Sequence, residues 1–196
     1  MSTPVLLQKY KEKVVPALTQ KLGYGNPHQV PRLEKIVVTS CMGKAPDRKV
    51  AVDDAVAEIA KITGQKPSIT FSKKAVANFK LREGEPLGAR VTLRGPRMWE
   101  FLHRFINLVA PNIRDFRGIS PKNFDGRGNY AVGFPEQSIF PEIELDQIKR
   151  NIGFDLIFVT SAKTDDEGRA LLTELGLPFR DTKKAEEGAA AEAATA

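Results

Sequence analysis

The sequence predicts an α+β fold, an antiparallel sheet with helices packed on one face and the other face open. Two observations lead to this prediction. Strand-like and helix-like segments alternate along the 196 residues, yet no Gly-rich phosphate motif follows any strand. Each strand also has one polar side, whereas strands of a parallel sheet are buried on both sides and form continuous apolar runs. We expect a single domain over residues 1–182, with long loops at 73–86 and 112–141, and a disordered Ala/Glu tail at 183–196.

The N-terminal part of the chain predicts a helix followed by a strand. Apolar residues recur at a helical period over residues 5–22, and Pro16 should kink or split this helix because it lacks an amide hydrogen. Residues 32–40 alternate between apolar and polar side chains, which is typical of a half-buried strand. Lys35 and Thr39 lie on its polar side.

The middle of the chain predicts a helix and two strands. Asp47 is a candidate N-cap for a helix that ends at Gly64, and a short strand follows at 68–72. The segment 88–95 has the clearest alternation in the chain. Its polar side carries Arg90, Thr92 and Arg94.

The C-terminal half predicts two helices and two strands. A helix begins at Pro96 and ends at Pro111, since proline suits the first turn of a helix and not its interior. Short strands are expected at 130–134 and 154–161. A Thr-x-x-Glu capping box at residues 164–167 then opens the last helix.

The composition indicates a polyanionic partner and excludes several classes of protein. The chain has 30 Lys and Arg against 24 Asp and Glu, a net charge of +6, and a pI near 9.4, which is typical of nucleic-acid binding. One cysteine and two histidines exclude a disulfide scaffold and a Cys/His zinc site. The sequence has no signal peptide and no apolar run of membrane-spanning length, so we expect a cytoplasmic protein without a membrane partner.

Catalysis is not expected. His28, His103 and Cys41 have no nucleophile, base or acid beside them in the pattern, and Walker-type phosphate loops are absent. We therefore expect no catalytic residue, no metal, no cofactor and no small-molecule substrate.

The main candidate site is the polar face of the predicted sheet. Its cations and hydroxyls, with few carboxylates among them, suit phosphates and ribose hydroxyls. The alternative is a solvated sheet face with ordinary edge charges.

Two loops are further candidates. The loop 73–86 surrounds Phe79 with lysines and arginines, so it could straddle an RNA backbone with the ring stacked on a base, unless Phe79 folds back onto the core. The segment 112–141 scatters basic residues among glycines, whose amides can approach a phosphate or a partner. Equally, these glycines could serve a structural hairpin that needs positive φ angles.

Several stretches together resemble the family of the bacterial-type fifth protein of the large ribosomal subunit, which binds 5S rRNA in the central protuberance. They span nearly the whole chain to about residue 180, and the longest continuous similarity covers residues 113–143. The stretches are VPRLEKI (30–36), GQKP (64–67), GARVTLRGPRMWEFL (88–102), IRDFRGIS (113–120), FDGRGNYAVG (124–133), QSIFPEI (137–143) and DDEGRALL (165–172).

This resemblance implies a ferredoxin-like, RNA-recognition-motif-like arrangement and three contact regions. The 5S rRNA is expected on the open face and its margin, at Lys35, Thr39, Gln65, Arg90, Thr92 and Arg94. The elbow of P-site tRNA is expected at the basic loop, at Lys73, Lys74, Asn78, Phe79, Lys80 and Arg82. A protein of the small-subunit head is expected to form an intersubunit bridge at Arg114, Arg117, Phe134, Glu136 and Gln137. The 23S rRNA and other proteins of the central protuberance are further implied partners.

The chain departs from the family after the first strand. Where the family commonly has Asn-Met-Gly-Val-Gly, this sequence has Thr39-Ser40-Cys41-Met42-Gly43, and a threonine hydroxyl cannot present the bidentate amide of asparagine. Two rival functions remain open at this stage. A regulatory RNA-binding module would need paired aromatics on the open face, and an enzyme of nucleotide or phosphate metabolism would need a phosphate loop, a metal cluster or an acid–base pair.

Overall fold

The computed structural model describes residues 3–43, 45–113, 116–144 and 148–180. Within them, five strands form one fully antiparallel sheet: β1 (Leu33–Cys41), β2 (Ser68–Phe71), β3 (Pro86–Leu93), β4 (Tyr130–Phe134) and β5 (Phe154–Thr160). Their order across the sheet is β2-β3-β1-β5-β4. The predicted α+β class is confirmed, while the predicted tail at 183–196 lies outside the described residues.

The helices alternate with these strands. They are α1 (Val5–Lys9), α2 (Val15–Leu22), α3 (Arg48–Thr63), α4 (Gly95–Arg104), α5 (Ala110–Asn112) and α6 (Asp165–Leu175). Helix α3 connects β1 to β2 and helix α4 follows β3, so that without the edge strand β4 the order β2-β3-β1-β5 is the expected ferredoxin-like one. Among the described helices, none is long and apolar enough to cross a membrane.

Both prolines that were expected to disturb helices follow π-helical turns. Such a turn, Tyr10–Val14, joins α1 to α2 just before Pro16, and another, Phe105–Val109, precedes Pro111. A π-turn bonds each amide five residues back, which removes the clash between a proline ring and the carbonyl four residues earlier. The prediction that Pro111 ends its helix is wrong, because α5 continues to Asn112.

Local capping explains where α3 and α6 begin. Asp47 does occupy the N-cap of α3, but its side chain makes no capping hydrogen bond. Helix α6 has the predicted cap: the Glu167 amide donates to Thr164 Oγ1 at 3.4 Å, and the Glu167 carboxylate accepts from the Lys163 amide at 2.9 Å. Gly64, with φ 67°, ends α3 in the left-handed conformation that favours glycine.

The core lies between the sheet and the helices. Helix α3 packs against β1, β2 and β3, α4 packs against β1, and the N-terminal helix packs against α4 and α6. The alternation of the strands directs one set of side chains into this layer, fully or almost fully buried: Ile36, Val38, Ala89, Val91, Leu93, Leu156 and Phe158. The opposite face of the sheet is covered by no helix within the described residues, and it carries the candidate site.

Candidate nucleic-acid interface

A polar row crosses the open face from β2 to β1. Ser68 pairs with Arg90, and Arg90 pairs with Thr39. Ser68 and Arg90 are exposed and Thr39 is half-buried; the Thr39 hydroxyl lies 3.4 Å from the Ala89 carbonyl, to which it donates. The sheet register therefore brings together residues that are 22 and 51 positions apart in the sequence.

A second polar group lies where β3 ends. Thr92 pairs with Val37 of β1, and the Gln65 side-chain amide reaches across from the turn after α3 to the Thr92 carbonyl, at 3.4 Å. One step beyond the last registered pair, Ile36 with Leu93, Lys35 stands opposite the position of Arg94. The six residues predicted for 5S rRNA thus lie on β1 and β3, at the N-cap of α4 directly after β3 (Arg94), and in the turn after α3 (Gln65).

The cations of this face are free of acidic partners in the part of the chain that the structure describes. Lys35, Arg90 and Arg94 take part in no ion pair there. Arg90 and Arg94 are exposed, and Lys35 is half-buried. Because no carboxylate neutralises them in place, their charge is available to an anionic partner.

The other half of the open face is aliphatic, which the sequence interpretation missed. Val37 of β1 pairs with Ile157 of β5, and Ile157 pairs with Ala131 of β4. Val37, Ile157 and Val159 are half-buried although they point away from the core. The signal was present in the nearly continuous apolar run FDLIFV (154–159), which is typical of a strand with both faces covered.

Among the described strand residues, one carboxylate lies on this face. Asp155 is exposed and pairs with Thr39 on one side and Gly133 on the other. A Cβ atom at Gly133 would lie 2.9 Å from Asp155 Oδ1, so the carboxylate leans over β4 and away from the cationic strands. The expectation of a face with few carboxylates agrees with this arrangement.

The basic loop 73–86 is a hydrogen-bonded hairpin. The Ser72 amide donates to the Glu85 carbonyl at 2.8 Å, and the Gly84 amide donates to the Ser72 carbonyl at 3.0 Å. Nearer the tip, Val76 and Leu81 exchange backbone hydrogen bonds of 3.0 and 3.1 Å. The loop therefore has a defined shape of its own.

The tip of this hairpin is a 3₁₀ turn, Ala77–Phe79. Phe79 is 69% exposed, so it does not fold back onto the core. The other residues predicted for tRNA contact are exposed around it: Lys73, Lys74, Asn78, Lys80 and Arg82. Lys80 adopts φ 51°, the one positive φ angle of a non-glycine residue in the described chain.

The glycine-rich part of segment 112–141 serves the fold. Gly126 and Gly128 adopt φ angles of 84° and 76°, and their amides donate to the two carboxylate oxygens of Asp165 at 3.2 and 2.9 Å. The Asn129 side chain donates to Asp125 at 2.7 Å, and this hydrogen bond is the main cause of the lowered pKa of Asp125. The glycines of the sequence were open to two interpretations, a contact with a phosphate or partner and a structural hairpin. The amides of Gly126 and Gly128 bond within the protein, as in a structural hairpin.

The residues predicted for the intersubunit bridge are held by different segments. Arg117 and Glu136 are exposed; Gly118, next to Arg117, packs against the backbone at residue 180, whereas Glu136 accepts a hydrogen bond from Asn151 at 3.4 Å. Phe134 is half-buried, with its ring centroid 5.8 Å from that of Phe105. Arg114 lies outside the described residues.

Gln137 is buried, with 1% of its surface exposed. Its amide group donates to the Arg150 carbonyl at 2.7 Å and accepts from the Ile152 amide at 2.6 Å. Burial, followed by the nearby charge of Asp54, raises the pKa of Glu58, which also hydrogen-bonds Gln137. The Gln137 side chain therefore fixes the segment that carries Glu136.

The described residues form no candidate metal site. Among the described residues, no three His, Cys, Asp or Glu side chains converge so that they could hold a metal ion. Cys41 is a free, exposed thiol at the end of β1.

Comparison with known proteins gives consistent matches over most of the chain. The family described as ribosomal protein L5 matches residues 26–82, and the model of the C-terminus of the same ribosomal family matches residues 86–179. The large ribosomal subunit protein uL5 of Carboxydothermus hydrogenoformans is 54% identical over 176 residues, which are 90% of this chain and 98% of that protein. The uL5 proteins of Trichodesmium erythraeum and Clostridium botulinum (strain Loch Maree) are 55% and 56% identical, over 89% and 90% of this chain and 97% and 98% of theirs.

Proposed function

The chain belongs to the ribosomal protein L5 family, and from that premise we propose that its open sheet face binds 5S rRNA in the large ribosomal subunit. A protein of this family is a structural, non-enzymatic component of the ribosome and works in the cytoplasm. The proposal concerns which surface meets which partner.

The observation that carries the proposal is the composition of the open face. Three cations without acidic partners in the described chain, Lys35, Arg90 and Arg94, surround the hydroxyl groups of Thr39 and Thr92. Cations bind phosphates whatever the sequence, whereas hydroxyls and amides set position through ribose and base contacts. The combination suits an RNA of defined shape.

The aliphatic half of the face supports the same partner. Val37, Ile157 and Val159 offer apolar surface beside the cations, on which ribose carbons and base faces can pack. Such packing removes apolar area from water, at about 25 cal/mol for each Å². The two halves of the face then contact the backbone and the sugar or base surfaces of one bound RNA.

We further propose that the hairpin at 73–86 contacts P-site tRNA. Phe79 is 69% exposed at its tip, and base–aromatic stacking together with neighbouring cations is a common way of holding RNA without strict sequence preference. Lys73, Lys74, Asn78, Lys80 and Arg82 are exposed around the ring. The charge and the stacking surface therefore point to the same kind of ligand.

For the segment 112–145 we propose contact with a protein of the small-subunit head. Arg117 and Glu136 are the exposed residues that support it, and Phe134 and Gln137 hold the segment from inside. Arg114 remains part of the proposal. The 23S rRNA and the other proteins of the central protuberance are proposed as neighbours in the assembled subunit.

The first test is a salt titration of binding to 5S rRNA against a folded control RNA of equal length. Affinity for both should fall as salt rises, because counterion release does not depend on sequence. A large advantage for 5S rRNA that persists at high salt supports a specific site on the sheet. Coinciding curves would mean that the isolated protein offers only a basic surface.

A regulatory RNA-binding module outside the ribosome is the alternative. It would need paired aromatics on the open face on which bases stack. Strands β1, β4 and β5 and the regularly paired part of β3 place none there: their open-face side chains are Lys35, Val37, Thr39, Cys41, Gly88, Arg90, Thr92, Ala131, Gly133, Asp155, Ile157 and Val159. The edge strand β2 adds one exposed ring, Phe71, which is 58% exposed and pairs with Pro86 across a register shift, so the described sheet offers no pair of aromatics. Sedimentation of cell extracts in high salt separates the two functions. Recovery with large subunits supports the ribosomal one, and recovery only in the soluble fraction supports the alternative.

A further inference from the structure

Arg48, the first residue of α3, connects that helix to the tip of the basic hairpin. Its Nη1 atom donates to Glu85 Oε2 at 2.7 Å and to the Lys80 carbonyl at 2.8 Å, and its Nη2 atom donates to the Phe79 carbonyl at 3.1 Å. The side chain is only 17% exposed. One guanidinium therefore binds both the base and the tip of the hairpin.

Glu85 completes this connection from the hairpin side. The same oxygen that receives Arg48 also accepts the Arg82 amide at 3.2 Å. Its side chain is 33% exposed, so water screens the pair only in part. Charge-assisted hydrogen bonds of this kind are stronger than neutral ones.

The position of Arg48 is unfavourable for the helix that carries it. The N-terminus of a helix carries a partial positive charge, which disfavours cations in the first turn. Helix α3 has no acidic residue in its first turn and no side-chain cap from Asp47. Among the described residues, the contacts that stabilise Arg48 in this position are therefore those with the hairpin.

The held segment includes the least relaxed backbone of the hairpin. Lys80 adopts φ 51° and ψ 42°, a left-handed conformation that costs energy for a residue with a Cβ atom. Arg48 binds the carbonyl of Lys80 and that of Phe79 before it. We call the hydrogen bonds of Arg48 and Glu85 with the hairpin the clamp. The clamp fixes the turn that sets the direction of the Phe79 ring.

We propose that Arg48, together with Glu85, is a positioning residue that holds the hairpin tip in one conformation before RNA binds. This rests on the proposed contact between the hairpin and tRNA. A segment that is already ordered loses less conformational entropy on binding, so it binds more tightly and releases more slowly. Arg48 acts through the tip and need not touch RNA.

Hydrogen exchange of the full-length protein tests the clamp without any RNA. In Arg48→Ala, peptides covering 72–85 should exchange about tenfold faster or more, because the amides of Val76 and Leu81 open with the tip. Glu85→Gln should act in the same direction although it makes the protein more basic. Lys49→Ala is the matched control: it removes one positive charge from an exposed neighbour on the same helix and should leave exchange unchanged. Unchanged exchange in both clamp variants, or an equal effect of Lys49→Ala, would overturn the clamp.

The role of the clamp is tested on ribosomes that carry each variant. The measurement is the rate at which deacylated tRNA leaves the P site. Faster release with Arg48→Ala and Glu85→Gln, but not with Lys49→Ala, supports the proposal as a whole. Faster exchange with unchanged release would leave the hydrogen bonds as a structural fact and overturn their role in binding. Phe79→Ala in the same assay tests the proposed tRNA contact separately, since Phe79 is 69% exposed at the tip: faster release supports the contact, and unchanged release overturns it.

Discussion

Two substitutions, Thr92→Val on β3 and Arg94→Ala directly after it, distinguish the contribution of hydrogen bonding to 5S rRNA binding from that of charge. Thr92→Val keeps the shape of a half-buried strand residue and removes one hydroxyl, which should weaken binding about fivefold, the value of one neutral hydrogen bond of about 1 kcal/mol. Arg94→Ala removes an exposed cation without an ion-pair partner in the described chain. It should weaken binding about tenfold or more at low salt and reduce the slope of log K against log salt by about 0.9.

The difference in slope is the decisive measurement. Over a fourfold rise in salt, from about 0.1 to 0.4 M, the deficit of Arg94→Ala should shrink by about 3.5-fold, whereas that of Thr92→Val should stay constant. Filter binding or fluorescence anisotropy with labelled 5S rRNA gives both quantities, and circular dichroism verifies the fold. Lys11→Ala is the control, since Lys11 is exposed in the helical layer on the other side of the sheet. If Arg94→Ala behaves like Lys11→Ala, or if Thr92→Val changes the slope, the assignment of these residues is wrong.

Two further predictions concern stability. The hydrogen bond from the Tyr24 hydroxyl is the main cause of the lowered pKa of Glu167, so Tyr24→Phe should destabilise the fold slightly at neutral pH. This difference should be complete above the ordinary glutamate pKa of 4.5 and should be lost as the pH falls further, through the lowered pKa of Glu167 in the folded protein. Urea unfolding at a series of pH values measures it; a difference independent of pH would contradict the assignment. A Cβ at Gly88 would overlap the Ser40 carbonyl in the neighbouring strand, so Gly88→Ala should cost about 3 kcal/mol or more. Gly25→Ala, whose Cβ would meet no heavy atom within 4 Å, is the control in thermal unfolding and should change stability by less than about 0.5 kcal/mol.

Local patterns in the sequence were sufficient for most of the fold. Strict alternation in β3 and the Thr164 cap of α6 depend on neighbouring residues only, so they could be recognised without tertiary information. The same holds for the polar side of β1, where Lys35 and Thr39 lie as expected. What these patterns could not supply is the register that sets Thr39 beside Arg90, because strand pairing is decided by contacts far apart in the chain.

The features that were missed depend mainly on tertiary contacts. The apolar run at 154–159 carried a signal for the aliphatic half of the open face, but its extent followed only from the register that sets Ile157 opposite Val37. Gln137 has an ordinary polar side chain in sequence, and only the backbone groups of residues 150 and 152 explain its burial. The hairpin likewise appeared as an irregular basic loop, because the residue that holds it, Arg48, precedes it by more than 20 positions.

The length of helix α3 sets the distance between the two proposed RNA contacts. Arg48 at its start holds the hairpin, and Gln65, just past its end, reaches the open face. Its 16 residues fix this separation at about 24 Å, since each residue of an α-helix adds about 1.5 Å. An inserted or deleted residue in α3 would shift one end by about 1.5 Å and rotate it by about 100° relative to the other. The length of α3 is therefore itself part of the geometry by which one protein could touch two RNA molecules at once.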